Sequence, residues 1–222
     1  MSYKSPIEDF KYNLAMLNYD EIIAGIDKFK DYDSDTLMSV VSEIGRLNEL
    51  EVVDSNKIGD REGLKYLPDG PDGPEVHTPE AFKKIYEVVK DSGYVGATMP
   101  TQYGGGGAPF TTAILAGEVG IASNMAFYMG PGLSHGAMKT ILKKATEELK
   151  DKYLPNMTSG EWMGTMCLTE PQCGTDLGLI KSTAKPVDDH YELNGQKIWI
   201  SFGEHDLTEN IIHLVLARTP DA

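Results

Sequence analysis

Cysteine is nearly absent from this chain: two of its 222 residues, Cys167 and Cys173, lie six positions apart. Two thiols with no second pair complete neither a zinc site nor a disulfide framework, and the usage suits a reducing, cytoplasmic setting. Positive charge is scarce as well. Twenty Lys and Arg face thirty-four Asp and Glu, a formal charge of −14, which is the wrong sign for nonspecific capture of nucleic acid or an anionic membrane. His77, His135, His190, His205 and His213 are scattered with no HxxxH or HxH pair, so no metal site is expected. Long apolar runs are also missing. Val119 to Ala137 carries no charge but holds four glycines, a proline, Asn124 and His135, which argues against a membrane span. The opening stretch, with Glu8, Asp9, Asp20 and Glu21, has no apolar core of the kind a signal peptide needs.

What is present suffices for a sizeable core. A chain of 222 residues that is 41% hydrophobic allows one large domain or two small ones at ~150 residues per domain, and excludes disorder and miniproteins. The first part reads as helical. Leu37, Met38, Val40, Val41, Ile44, Leu47, Leu50 and Val53 recur at three and four spacings, with Ser34 or Asp35 as the expected N-cap. Ser55 to Glu75 is rich in Gly and Pro and is expected to be loop. A helix should open at Thr78-Pro79-Glu80 and end at Asp91-Ser-Gly93, and two more should cover Pro109 to Phe127 and Gly132 to Lys144. Gly104 to Gly107 invites a phosphate-loop reading, but no Lys-Ser/Thr follows. A flexible connection between helices is expected instead.

The character switches near Trp162. Gly164 to Leu168, Ile180 to Pro186, His190 to Leu193, Lys197 to Ser201 and Ile211 to Ala217 read as strands, with Asn194-Gly195 as a hairpin turn. The expected fold class is α+β: an all-helical N-terminal domain followed by the start of an antiparallel β-barrel-like middle domain. The expected divisions are a helical extension over 1–54, a loop over 55–77, a helical domain over 78–160 and a partial β domain over 161–222.

Chemistry concentrates in two segments. Thr169-Glu170-Pro171 leads into Gly174-Thr175-Asp176, a turn whose amides and hydroxyls could bind an anion such as pyrophosphate, although an ordinary turn has the same composition. Thirty residues after Thr169 comes Gly195-Gln-Lys-Ile-Trp-Ile-Ser201. A strand Trp is usually core, but beside such a turn it can wall a flat aromatic cofactor.

Cys167-Leu-Thr-Glu-Pro-x-x-Gly-Thr-Asp176 followed by Asn194-Gly-x-Lys-x-Trp-Ile-Ser201 resembles the acyl-CoA dehydrogenase family in order and spacing. Met99-Pro-x-x-Tyr-Gly-Gly-x-Gly107 is similar to that family's link between N-terminal helices. Tyr3-Lys-Ser-Pro-Ile-Glu-Asp-Phe10 and Val53-x-x-Asn56-x-x-Gly-Asp-Arg-Glu-Gly63 resemble its subgroup with an N-terminal extension, which includes the 3-methylmercaptopropionyl-CoA dehydrogenases. The resemblance implies FAD as cofactor and α,β-dehydrogenation of an acyl-CoA thioester. It implies that Met166, Cys167, Leu168 and Thr169 lie along the flavin and that Gly174 allows close backbone approach. Thr175 would serve the FAD pyrophosphate or the acyl-CoA edge, and Trp199 would pack on the isoalloxazine with Ile200 and Ser201 beside it. Glu170 and Asp176 would support the turn rather than act as base.

The same resemblance places the catalytic glutamate in a C-terminal helical domain that these 222 residues do not contain. No catalytic residue is therefore expected here, the β domain is expected to be cut short, and the chain alone is expected to be inactive. An electron-transfer flavoprotein or similar acceptor, a homo-oligomer, or a separately encoded C-terminal half-subunit are the implied partners. A complementing subunit and a non-enzymatic helical interaction module stand as alternatives.

Overall fold

The computed structural model describes residues 3–71 and 73–220, so Met1, Ser2, Asp72, Asp221 and Ala222 lie outside the described residues. Two short helices, α1 (Ile7–Met16) and α2 (Tyr19–Ala24), precede α3 (Ser34–Leu47). Asp33, not Ser34 or Asp35, caps α3. It is the residue whose backbone is still extended, and its carboxylate accepts the Thr36 N–H at 2.8 Å. Phe10, Leu14, Tyr19 and Ile23 from the first two helices bury against Leu37, Met38, Val41 and Ile44, and this cluster continues onto Ala116 and Val119.

The expected loop over 55–77 is instead a helix and a hairpin. A π-helical turn (Asn48–Val52) links α3 to α4 (Val53–Glu62), and Gly63, at φ 64°, ends the run. Strands β1 (Lys65–Gly70) and β2 (Gly73–His77) follow, so the N-terminal part is not all-helical. The prolines that suggested loop are accommodated because the ribbon has only two strands. Pro68 sits where the register shifts between Leu67 and Gly70, and a missing N–H is tolerated at such a bulge.

Helix α5 (Glu80–Asp91) begins and ends as expected, and buries Phe82, Ile85, Tyr86 and Val89. Gly104 to Gly107 is not a flexible connection. The N–H groups of Gly104, Gly105, Gly106 and Gly107 bond to the carbonyls of Thr101, Pro100, Gly96 and Met99. Those amides are thereby consumed, which removes the phosphate-loop reading. A Cβ at Gly105 would stand 2.1 Å from the Met99 carbonyl oxygen, so backbone would have to move. Gly105→Ala is expected to lower the unfolding free energy by about 1–3 kcal/mol in urea titrations; an unchanged midpoint would show that this connection yields freely.

The two helices expected around residues 109–144 join as α6 (Phe110–Lys144), with a kink at Asn124 (φ −155°, ψ 87°) rather than at Pro131. Asn124 acts as an internal N-cap, its Oδ1 accepting the Phe127 N–H at 3.1 Å. Its Nδ2 donates to Ser55 Oγ at 2.7 Å, and neighbouring Ser123 donates to Asn48 Oδ1 at 2.7 Å. All four residues are buried, so this satisfied network locks the kink to the π turn and to α4. By length and composition α6 could cross a membrane. Here one face packs into the core, with Val119, Phe127 and Met138 fully buried, while Ile114, Ile121 and Met125 on the same helix are exposed.

Helix α7 (Glu147–Ser159), capped by Thr146, leads into β3 (Trp162–Cys167). β3 pairs in parallel with β6 (Asn210–Val215), while β4 (Thr183–Val187) and β5 (His190–Asn194) form an antiparallel hairpin. No barrel closes among the described residues. The hairpin turns at Asp188-Asp189, with Asp188 at φ 50°, not at Asn194-Gly195. Gly195 instead lets the chain leave β5 hard against Ser182, where a Cβ would meet Ser182 Oγ within 2.3 Å. Lys197 to Ser201, expected as a strand, has no ladder partner among the described residues.

Candidate functional site

The site is built at the C-terminal end of β3. There the chain turns back through Glu170-Pro171-Gln172-Cys173, closed by Glu170 N–H to Cys173 O at 2.8 Å and Cys173 N–H to Glu170 O at 3.1 Å. The Glu170 carboxylate is 3% exposed. It accepts the Lys181 N–H at 2.7 Å, the Ser182 N–H at 3.0 Å, Lys197 Nζ at 2.8 Å and the Gln172 amide. Burial alone would raise its pKa, but Lys197 and the Ser182 and Lys181 donors outweigh burial and hold it well below the carboxylate range. A buried, fully engaged carboxylate of this kind cannot take a substrate proton near neutrality. Asp176 is exposed and accepts one bond, from the Gly178 N–H at 3.1 Å. Both acids support the turn.

Lys197 joins the two motif segments. Its ammonium bonds Leu168 O at 3.1 Å as well as Glu170, and the next residue, Ile198, donates its N–H to Thr169 O at 3.0 Å. Leu168 and Thr169 are thus brought against the segment that leads to Trp199, Ile200 and Ser201. Gly174 packs near Thr169, a Cβ there lying 3.5 Å from Thr169 Cγ2. Thr175 is exposed on the turn, and no hydrogen bond joins it to Trp199–Ser201 among the described residues. Met166 is exposed, whereas Cys167 is buried, its Sγ 3.5 Å from Thr165 Oγ1 and 3.6 Å from His213 Nδ1. Cys167 and Cys173 are both free thiols.

Trp199 is the site's outlier. It is 86% exposed and sits at φ 56°, in the left-handed region, as does Phe202 at φ 54°. For bulky residues this conformation costs about 1–3 kcal/mol each and persists where the surroundings over-determine it. An exposed indole next in sequence to Ile198, whose N–H bonds Thr169 O, and two residues before the Ser201 hydroxyl offers a ring face and polar groups that suit a flat, polar-edged aromatic ligand. The residues present therefore fit a flavin.

Beyond Ser201 the chain lines a cavity of about 420 Å³ with Phe202, Glu204 and His205, opposite Phe82, Ala126 and Met129. His205 is buried. Its Nδ1 accepts the Leu207 N–H at 3.2 Å while Nε2 has no partner among the described residues. Burial drives its pKa down to about 4, with Asp206 opposing and His213 reinforcing the drop. Asp206 binds across 128 residues to Thr78, whose N–H and hydroxyl reach Oδ1 at 2.9 and 2.6 Å. Lys197, His205 and Asp206 carried no role in the sequence reading. A Glu inside a strand-end motif that must be buried signals the need for a cation such as Lys197, but nothing local marks Asp206. Among the described residues no three His, Cys, Asp or Glu side chains gather as a metal site.

The profile of the acyl-CoA dehydrogenase N-terminal domain matches residues 71–161, and that of the acyl-CoA dehydrogenase middle domain matches residues 165–222. The 3-methylmercaptopropionyl-CoA dehydrogenase of Ruegeria pomeroyi is 36% identical over 223 residues, an alignment covering 100% of this chain and 37% of that protein. A butyryl-CoA dehydrogenase of Syntrophomonas wolfei is 36% identical over 229 residues, covering 100% and 36%. The structure of an acyl-CoA dehydrogenase complexed with FAD from Bacillus anthracis superposes with a TM-score of 0.67 at 24% identity, covering 84% of this chain and 29% of that one. The chain thus spans about a third of the length of the curated relatives it matches.

Proposed function

This chain belongs to the acyl-CoA dehydrogenase family, and from that premise we propose that it supplies the helical N-terminal domain and one flavin wall of an FAD-dependent enzyme that dehydrogenates an acyl-CoA thioester between its α and β carbons. The observation that carries this reading is the bonding of the two motif segments to each other through Lys197 and Ile198, beside an exposed Trp199.

Bound FAD would supply the acceptor, at flavin N5, for the hydride leaving the β carbon. The chain's own residues would bind and orient. Met166 to Thr169 would line the flavin edge, Trp199 would cover a ring face, and Ile200 and Ser201 would close the side, with the Ser201 hydroxyl available as a donor. Gly174 would admit close backbone approach, and Thr175 would donate to the pyrophosphate or to the acyl-CoA edge. Glu170 and Asp176 hold the turn in shape. With Glu170 engaged by four donors and Asp176 bonded within its own turn, we assign removal of the α proton to a carboxylate outside these 222 residues. An electron-transfer flavoprotein is the proposed electron acceptor and a homo-oligomer the proposed assembly.

Trp199→Ala is expected to weaken FAD binding at least about tenfold through the lost ring contact, and Thr175→Ala by a smaller factor through one lost hydrogen bond. Titration of the purified chain with FAD, followed by flavin fluorescence, measures both. Binding by the parent chain that neither substitution changes would move the cofactor away from this turn.

A further inference from the structure

Among the described residues the segment carrying Trp199 to Ser201 has no ladder of its own, so contacts along and beyond it must hold it. At one end Lys197 and Ile198 tie it to Glu170, Leu168 and Thr169. At the other end Leu207 is buried in the core, and Asp206 supplies the hydrogen-bonded tie. Its Oδ1 accepts the Thr78 N–H at 2.9 Å and the Thr78 hydroxyl at 2.6 Å, while Oδ2 accepts Lys83 Nζ at 3.0 Å and lies 3.0 Å from His77 Nδ1. These partners end β2 and open α5, whose first turn is rooted in the core by Phe82. Between the ties the chain makes two left-handed bends, at Trp199 and Phe202, and Phe202 packs over Gly130 of α6. A strained arc keeps one shape only while both ends are fixed.

We infer that Asp206 is a positioning residue for this arc: by gripping Thr78, Lys83 and His77 it fixes the far end of Trp199–Ser201 against α5 and so presents Trp199 in its binding conformation. This rests on the flavin reading above. Asp206 itself touches no ligand in this scheme; it acts through the arc.

The test uses the full 222-residue chain in a Trp162→Phe background, so that Trp199 is its only tryptophan. In Asp206→Asn, the steady-state anisotropy of Trp199 emission is expected to fall toward that of a mobile loop, while far-UV circular dichroism stays unchanged. Thr78→Ser keeps both donors and should match the parent. Lys83→Met removes one donor and should give an intermediate anisotropy, which keeps the proposal testable if Asp206→Asn does not fold. Unchanged anisotropy in a folded Asp206→Asn or Lys83→Met chain would overturn the inference, since a residue serving stability alone would lower the unfolding midpoint without freeing Trp199. In a parallel FAD titration, if the ordered arc falls to a tenth of the population, the Kd should rise about tenfold. Failure of the parent chain to bind FAD would count against the flavin reading alone, because anisotropy still decides whether Asp206 holds the arc.

Discussion

Phe127→Ala is expected to lower the unfolding free energy by about 3–5 kcal/mol, the range for deleting a fully buried aromatic ring. Phe127 has no exposed surface. Its ring meets Phe82 edge-on at 5.7 Å, Tyr128 at 5.3 Å and Tyr86 at 6.4 Å, so one side chain joins α5 to the part of α6 that follows its kink. The surroundings are poorly placed to collapse into the space it would leave. Tyr86 is pinned by its hydroxyl to Gly160 O at 2.6 Å, and the backbone at residue 127 is held by the Asn124 cap. A cavity that cannot close carries the upper part of the cost. Urea titration of the purified chain measures it. Phe127→Leu, which keeps much of the volume but loses the edge-to-face contacts, should recover part of the loss. A decrease below ~1 kcal/mol for Phe127→Ala would mean that α5 and α6 re-pack freely.

Acidification should destabilise the protein in two stages. The first belongs to His205. Burial holds its folded-state pKa at about 4, against about 6.5 in the unfolded chain. Between those values the unfolded state binds a proton that the folded state refuses, so stability falls as pH falls through this window. The stabilising contribution is complete above about 6.5 and gone below about 4, a difference of about 3 kcal/mol. His205→Asn offers a non-titrating acceptor to the Leu207 N–H in place of Nδ1 and should flatten the pH dependence of the urea midpoint across the window. Equal slopes in parent and variant would show that His205 protonates without opposing the fold. The second stage involves Glu170 and Asp206. Both are held below the carboxylate range because their donors outweigh burial, so their contribution is present above about pH 4 and is lost at lower pH as they protonate.

The helical part was legible where one face of one helix carried the signal. Leu37, Met38, Val41 and Ile44 announce α3, and Ile85 and Val89 announce α5, because a 3.6-residue period needs no distant partner to be visible. The stretch from Ser55 to Glu75 misled for the opposite reason. Its Gly and Pro content is the local signature of a loop, yet α4 forms because Val52 and Ser55 bury against α6 and Asn124 reaches back to Ser55. The two motif segments were legible as a pair, and the comparisons agree with the family they resemble. The shape of the second segment was not. Lys197 to Ser201 alternates like a strand, but its bonds run to Glu170, Leu168 and Thr169 rather than to a neighbouring strand.

Residue identity and spacing along one chain were enough to name the family, and they supplied the residues from which we propose a flavin site. Only the tertiary structure decided that Gly104 to Gly107 is a closed backbone ladder, that α6 bends at Asn124, that Glu170 is engaged by Lys197, and that Asp206 reaches Thr78. Each of these depends on which donor meets which acceptor across a long sequence separation. A buried polar group must find such a partner, but its own neighbours in the sequence do not say which one.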